Sequence, residues 1–310
     1  MYDTGPAPRQ TAQELMKNRD RMQRSCSLPT APAGSACDRD TSPGQRPAAL
    51  RRILLRVLLL TAVVLPQPNL HADAGTRVAA AASLQFVLPE IAAAFHARTG
   101  HGLRITYGSS GNFRRQIEQG APFELFLSAD QAYVEALVEQ GLTATAGRDY
   151  ALGKIAAIAP LAGRIRLTPD LAGIAQAIAA GELEHFSIAN PEHAPYGRAA
   201  REALTALGLW QSLQPFLIRG ENASQALQFA TSGSSQGGIV PYALALVPAI
   251  AANNQVVLLA TTNHQPLRQR MVLLKPAGPV AREFFAFMGT SETGVILQRF
   301  GFDLPSAPAD

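Results

Sequence analysis

The chain has 310 residues, 47% of them apolar, with 27 Lys and Arg against 23 Asp and Glu and two cysteines. That apolar fraction excludes a disordered or polar low-complexity chain, and the length allows one large domain or two small ones. The charge is uneven: residues 1–74 carry ten basic and six acidic side chains and both cysteines, Cys26 and Cys37, which leaves 17 of each sign for 75–310 and weakens the case for a nucleic-acid binder.

Residues 1–50 are rich in Pro, Arg and Ser with little periodicity. They read as an upstream extension from a mis-assigned start, or as a disordered extension. Arg51-Arg52, the apolar run 57–65 interrupted only by Thr61, and Ala72-Asp73-Ala74 form a signal peptide over 51–74. A membrane anchor needs about 20 apolar residues, and Pro66 and Pro68 break this run too early. Cleavage after Ala74 leaves a cysteine-free product of 236 residues, with neither a disulfide framework nor a lipoprotein acceptor cysteine. Its expected location is the periplasm.

Over the exported part the pattern alternates. A strand at 77–81 leads to a helix at 84–98, in which Pro89 should introduce a kink. A strand at 103–107, a helix at 113–119, a strand at 124–127, a helix at 131–140 and a strand at 154–159 follow. The alternation restarts with a helix at 171–180, a strand at 185–189, helices at 199–207 and 224–230, and strands at 238–240 and 255–259. A strand at 269–274 and helices at 280–288 and 292–300 end the chain. Such alternation argues for an α/β fold with parallel-rich sheets flanked by helices. Two blocks, each too small for a full doubly wound domain, suggest two lobes.

Two early turns carry the chemistry. Ala79–Ser83 and Tyr107–Asn112 each lead from a strand into a helix through small residues and a serine. There the first backbone N–H groups are unpaired and the helix dipole is positive, so the serine can cap its own helix or help to hold an anion. Both readings stay open on pattern alone. The turns at 190–197 and 220–224 repeat the arrangement in the second block, and all four could meet at one cleft, where open α/β sheets bind ligands.

The segments 80–84 (AAASL), 108–111, 115–130 (RQIEQGAPFELFLSAD) and 190–197 (NPEHAPYG) resemble the periplasmic molybdate-binding proteins of ABC importers. The similarity continues through 220–226 and 238–240 to 299–302, and so covers nearly all of 76–303. The resemblance implies a two-lobed, type II periplasmic-binding fold, with 75–158 and 260–310 as one lobe and 159–259 as the other. It implies a monomer that captures molybdate or tungstate for an inner-membrane permease, with no cofactor and no enzymatic activity. Carried over by position, Ser83 and Ser110 each offer a hydroxyl and a backbone N–H, and Tyr196 and Ala223 offer backbone N–H groups. Metal thus enters only as the molybdate oxyanion, through Ser83 and Ser110. A further tyrosine hydroxyl, present in one branch, falls at Pro241-Tyr242 with Tyr242 one residue late, and the phenol of Tyr196 is an alternative source.

Other readings are weaker. Another tetrahedral oxyanion such as sulfate differs from molybdate mainly in size. A serine hydrolase using Ser83 or Ser110 would need a general base beside them. The run 233–237 (GSSQG) fits G-x-S-x-G, but it follows a helix and precedes a strand, the reverse of a nucleophile elbow. The histidines at 96, 101, 185, 193 and 264 show no metal-binding spacing and read as surface or turn residues, Glu192 and Glu221 as solvent-facing, and Arg198 and Arg201 as rim charges able to attract an anion.

Overall fold

The computed structural model describes residues 75–305. The expected extension over 1–50 and signal peptide over 51–74 lie outside the described residues.

Two five-stranded sheets organise the chain. In the first lobe, β1 (Thr76–Ala81), β2 (Leu103–Gly108) and β3 (Leu125–Ser128) run parallel. They are joined by α1 (Leu88–Thr99) and α2 (Ser110–Glu118). After α3 (Gln131–Glu139), β4 (Arg148–Gly153) takes one edge, and β10 (Leu267–Leu273) lies antiparallel between β3 and β4. The order is β2-β1-β3-β10-β4. The second sheet repeats the plan. Here β6 (Phe186–Ala189), β7 (Leu217–Gly220) and β8 (Gly238–Pro241) are parallel, and β5 (Ile155–Pro160) lies antiparallel between β8 and β9 (Asn254–Leu258). Its helices include α4 (Ala172–Ala179), α5 (Pro195–Ala206), α6 (Trp210–Leu213), α7 (Ala223–Thr231), α8 (Tyr242–Ala245) and α9 (Pro248–Ala251). Finally α10 (Pro279–Phe287) and α11 (Ser291–Arg299) return to the first lobe.

The sheets are therefore mixed, because in each the strand that crosses from the other lobe enters antiparallel. The outward crossing falls at Lys154: β5, expected to divide the lobes at 158, sits wholly in the second sheet. The return crossing runs from Leu258 to Leu267. Pro89 does not kink a long helix. It occupies the first turn of α1, where no N–H is needed, and residues 82–84 form a separate 3-10 turn. The alternation missed β4 because Tyr150 and Ala151 are buried in succession, and β7 because only four residues pair.

Apolar stripes hold the layers together. Leu88, Ile91 and Phe95 of α1 are buried, and Phe95 meets Phe284 of α10 edge to face with ring centroids 5.0 Å apart. In the second lobe Ala199, Ala200, Ala203 and Leu204 of α5 pack beside Ile158, Phe186 and Ile239 of the sheet. No described helix is long and apolar enough to cross a membrane.

Candidate functional site

Five turns meet where parallel strands end: Ala81–Ser83 after β1, Ser109-Ser110 after β2, Ala129 after β3, Pro195-Tyr196 after β6, and Ala223 after β7. They line a tight cavity of about 10 Å³. That is below the roughly 300–1,000 Å³ usual for organic ligands, so the space suits a small inorganic ion. Among the described residues, no Lys, Arg, Asp or Glu lines it. A larger groove beside Arg164, Arg166 and Gln236 contains, among the described residues, no buried, unpartnered side-chain atom.

At each helix start around the cavity, all but one of the first backbone donors are engaged. In α2, Gly111 N–H goes to the His193 carbonyl at 3.0 Å, Asn112 N–H to Ser109 Oγ and Phe113 N–H to the Ser109 carbonyl. Only Ser110 N–H remains. In α5, Pro195 has no N–H, while Gly197 and Arg198 bond the Ala194 carbonyl, which leaves Tyr196 N–H. In α7, Asn222 Oδ1 takes Ser224 and Gln225 N–H and its carbonyl takes Ala226 N–H, which leaves Ala223 N–H. Each helix thus presents one donor that has no partner among the described residues, and Ser83 N–H on the 3-10 turn is a fourth. A buried N–H without a partner is rare and costly, so four around one cavity is a strong chemical signature.

The two serines complete the set. Ser83 Oγ is buried and makes no hydrogen bond of acceptable geometry among the described residues. Ser110 Oγ accepts from Ala129 N–H at 3.0 Å, which leaves its own proton to donate. Of the two serines in this turn it is Ser109 that caps the helix, its Oγ accepting from Asn112 N–H. The structure therefore brings Ser83, Ser110, Tyr196 and Ala223 to one cavity. Tyr242 is elsewhere: it starts α8 with its N–H on the Lys154 carbonyl, and its ring packs beside Lys154 and Gly301. Being one residue late turns its side chain away from the cleft.

The phenol of Tyr196 is fully enclosed. Its oxygen accepts from Gln269 Nε2 at 2.8 Å and faces Ser83. Burial pushes its pKa well above the ordinary tyrosine value, opposed in part by Ser83 and Gln269, so it keeps its proton and can act as a donor.

Sequence reasoning missed the contacts that join the lobes. His193 is buried, with Nδ1 2.9 Å from Ser109 Oγ and Nε2 3.5 Å from Glu221. Glu221 also accepts from Asn112, so it serves as a rim bridge while remaining largely exposed. Arg198 pairs with Asp130 of the first lobe and lies 3.4 Å from Glu202, and Arg201 pairs with Glu192, so neither arginine is a free rim charge. The only sequence hint was a histidine inside a strand-to-helix turn. Ser109, His193 and Glu221 mimic a hydrolytic triad, but the serine caps its own helix and is buried. The GSSQG run is a loop between α7 and β8, and Ser235 Oγ bonds the carbonyls of Phe229 and Gly237.

The model for bacterial extracellular solute-binding proteins matches residues 76–303. The molybdate-binding protein ModA of Rhodobacter capsulatus is 36% identical over 264 residues, covering 83% of this chain and 98% of that protein. ModA of Escherichia coli is 30% identical, covering 76% of this chain and 92% of its own length. Among solved structures, the periplasmic molybdate-binding protein of Azotobacter vinelandii superposes with a TM-score of 0.67 at 28% identity, covering 74% of this chain and all of that one.

Proposed function

Because the chain belongs to the bacterial extracellular solute-binding proteins, we propose that it captures molybdate in the periplasm and delivers it to an inner-membrane ABC permease. It acts as a monomeric carrier and not as an enzyme, and tungstate, nearly identical in shape and charge, enters the same site.

The observation that carries this reading is the donor set: four backbone N–H groups and the hydroxyls of Ser83 and Ser110 around a small space without a carboxylate. A fully deprotonated tetrahedral dianion accepts hydrogen bonds at every oxygen. Each bond to a charged partner contributes roughly 1.5–3 kcal/mol, so six neutral donors hold it without a buried cation. The helix starts add their positive dipole ends. Phosphate near neutral pH keeps a proton part of the time and would need an acceptor here.

A calorimetry and thermal-shift panel tests the proposal. Molybdate and tungstate at 100 times their Kd should raise the melting temperature by roughly 5–10 °C, with phosphate inert. An equal shift with sulfate would move the reading to that oxyanion. Turnover of a simple ester, lost in Ser83→Ala or Ser110→Ala, would revive the hydrolase.

A further inference from the structure

The Tyr196–Gln269 contact belongs to a longer buried chain. Tyr150 donates its hydroxyl to Gln269 Oε1 at 2.8 Å, with the Ser128 carbonyl 3.2 Å away, and Gln269 Nε2 donates to Tyr196 at 2.8 Å. Gln269 has no exposed surface and Tyr150 almost none. The sheet is built around this chain. Along β10 the register passes from Gln269 opposite Ala151 to Arg270 opposite Asp149, so Tyr150 is the extra residue of a bulge. A bulge re-aims a side chain, and here it gives Tyr150 access to Gln269. Gly153 is the other accommodation, since a Cβ there would stand 2.3 Å from the Tyr196 hydroxyl and 2.8 Å from Gln269 Nε2.

The chain has a direction. An amide that accepts from Tyr150 must turn its N–H₂ toward Tyr196, and a phenol that accepts there keeps its proton for the side facing Ser83. Reversing the amide would draw that proton back and turn a lone pair toward Ser83, a wall that could accept as well as donate.

We infer that Tyr150 and Gln269 are positioning residues that fix the Tyr196 hydroxyl as a donor toward Ser83, keeping this wall donor-only and selective for oxyanions that carry no proton. Neither Tyr150 nor Gln269 lines the cavity, so any influence on a ligand travels through Tyr196. Because Tyr196 lies on the second lobe and Gln269 on the first, the donor is oriented only when the lobes meet. The inference rests on the oxyanion-binding reading above.

The test is a double-mutant cycle with Tyr150→Phe and Tyr196→Phe, measured by calorimetry with molybdate and phosphate as probes. Both changes remove a hydroxyl and keep the ring, and Tyr196→Phe keeps the backbone N–H. Tyr196→Phe should weaken molybdate binding about tenfold and Tyr150→Phe about threefold, both narrowing the molybdate-to-phosphate ratio. In the Tyr196→Phe background, Tyr150→Phe should have no further effect. Equal losses from Tyr150→Phe in both backgrounds, or affinities unchanged in both single variants, would overturn the inference. Gln269→Met, should it fold, must show the same dependence on Tyr196. A wild-type protein that binds no oxyanion would instead defeat the functional reading.

Discussion

At Gly111 a single methyl group separates folding from binding. A Cβ at this position would stand 2.6 Å from the His193 carbonyl, an atom of the other lobe, while the Gly111 N–H bonds that same carbonyl. Gly111→Ala should therefore leave each lobe intact and block their approach. Its melting temperature without ligand should match the wild type, and molybdate should no longer raise it. A normal ligand-induced shift would show that the lobes need not come this close. Ser110→Ala acts differently, since it removes one hydroxyl donor and leaves the Ser110 N–H. Molybdate affinity should fall roughly tenfold to a hundredfold, the value of one hydrogen bond to a charged partner. An unchanged Kd would remove Ser110 from the site. The serine turns were legible in sequence because small residues and a hydroxyl after a strand have few other uses. His193, Gln269 and Tyr150 were not, because their meaning depends on partners far away along the chain, Ser109 for His193 and Tyr196 for Gln269.

The helix starts work because their other donors are already engaged, and α7 shows this most directly. Asn222 Oδ1 accepts from both Ser224 and Gln225 N–H, at 3.0 and 3.1 Å, and so singles out Ala223 N–H. Asn222→Ala should cost about 1 kcal/mol of stability through the lost cap, read from the urea midpoint, and weaken molybdate binding as the first turn frays. Asn222→Asp separates the two effects. A carboxylate caps as well as an amide, so stability should hold, yet its charge beside the anion should lower affinity further than Asn222→Ala does. If Asn222→Asp binds as tightly as wild type, the anion is not at this helix start. The longer helices were readable from the 3.6-residue period, the four-residue α6, α8 and α9 were not, and α5 and α7 begin earlier than the periodicity suggested, at Pro195 and Ala223. Those first residues, Pro195, Tyr196 and Ala223, line the cavity at the edge of the core.

Across the whole molecule, alternation of strands and helices gave the α/β class and the two lobes. It could not give the antiparallel entry of β5 and β10, since strand direction within a sheet leaves no mark on hydrophobic period. The joining of the lobes also has a titration signature. Burial raises the phenols of Tyr150 and Tyr196 well above the ordinary value of 10.0, and that of Tyr107 to about 12. A raised folded-state pKa means that the native chain holds protons which the unfolded chain releases above pH 10. These groups therefore leave stability unaffected below pH 10 and lower it above, by roughly 1.4 kcal/mol per buried tyrosine per pH unit. Alkaline unfolding should be steep and should coincide with a late rise in phenolate absorbance from Tyr150 and Tyr196. Saturating molybdate should push that transition to higher pH, because the ligand favours the state in which Tyr196 is enclosed. The measurement is ultraviolet absorbance followed beside circular dichroism across the alkaline range, with and without molybdate. If every tyrosine ionises near the free-phenol value while the dichroism stays native, the phenols of Tyr150 and Tyr196 are open to solvent, and the lobes do not close over them in solution.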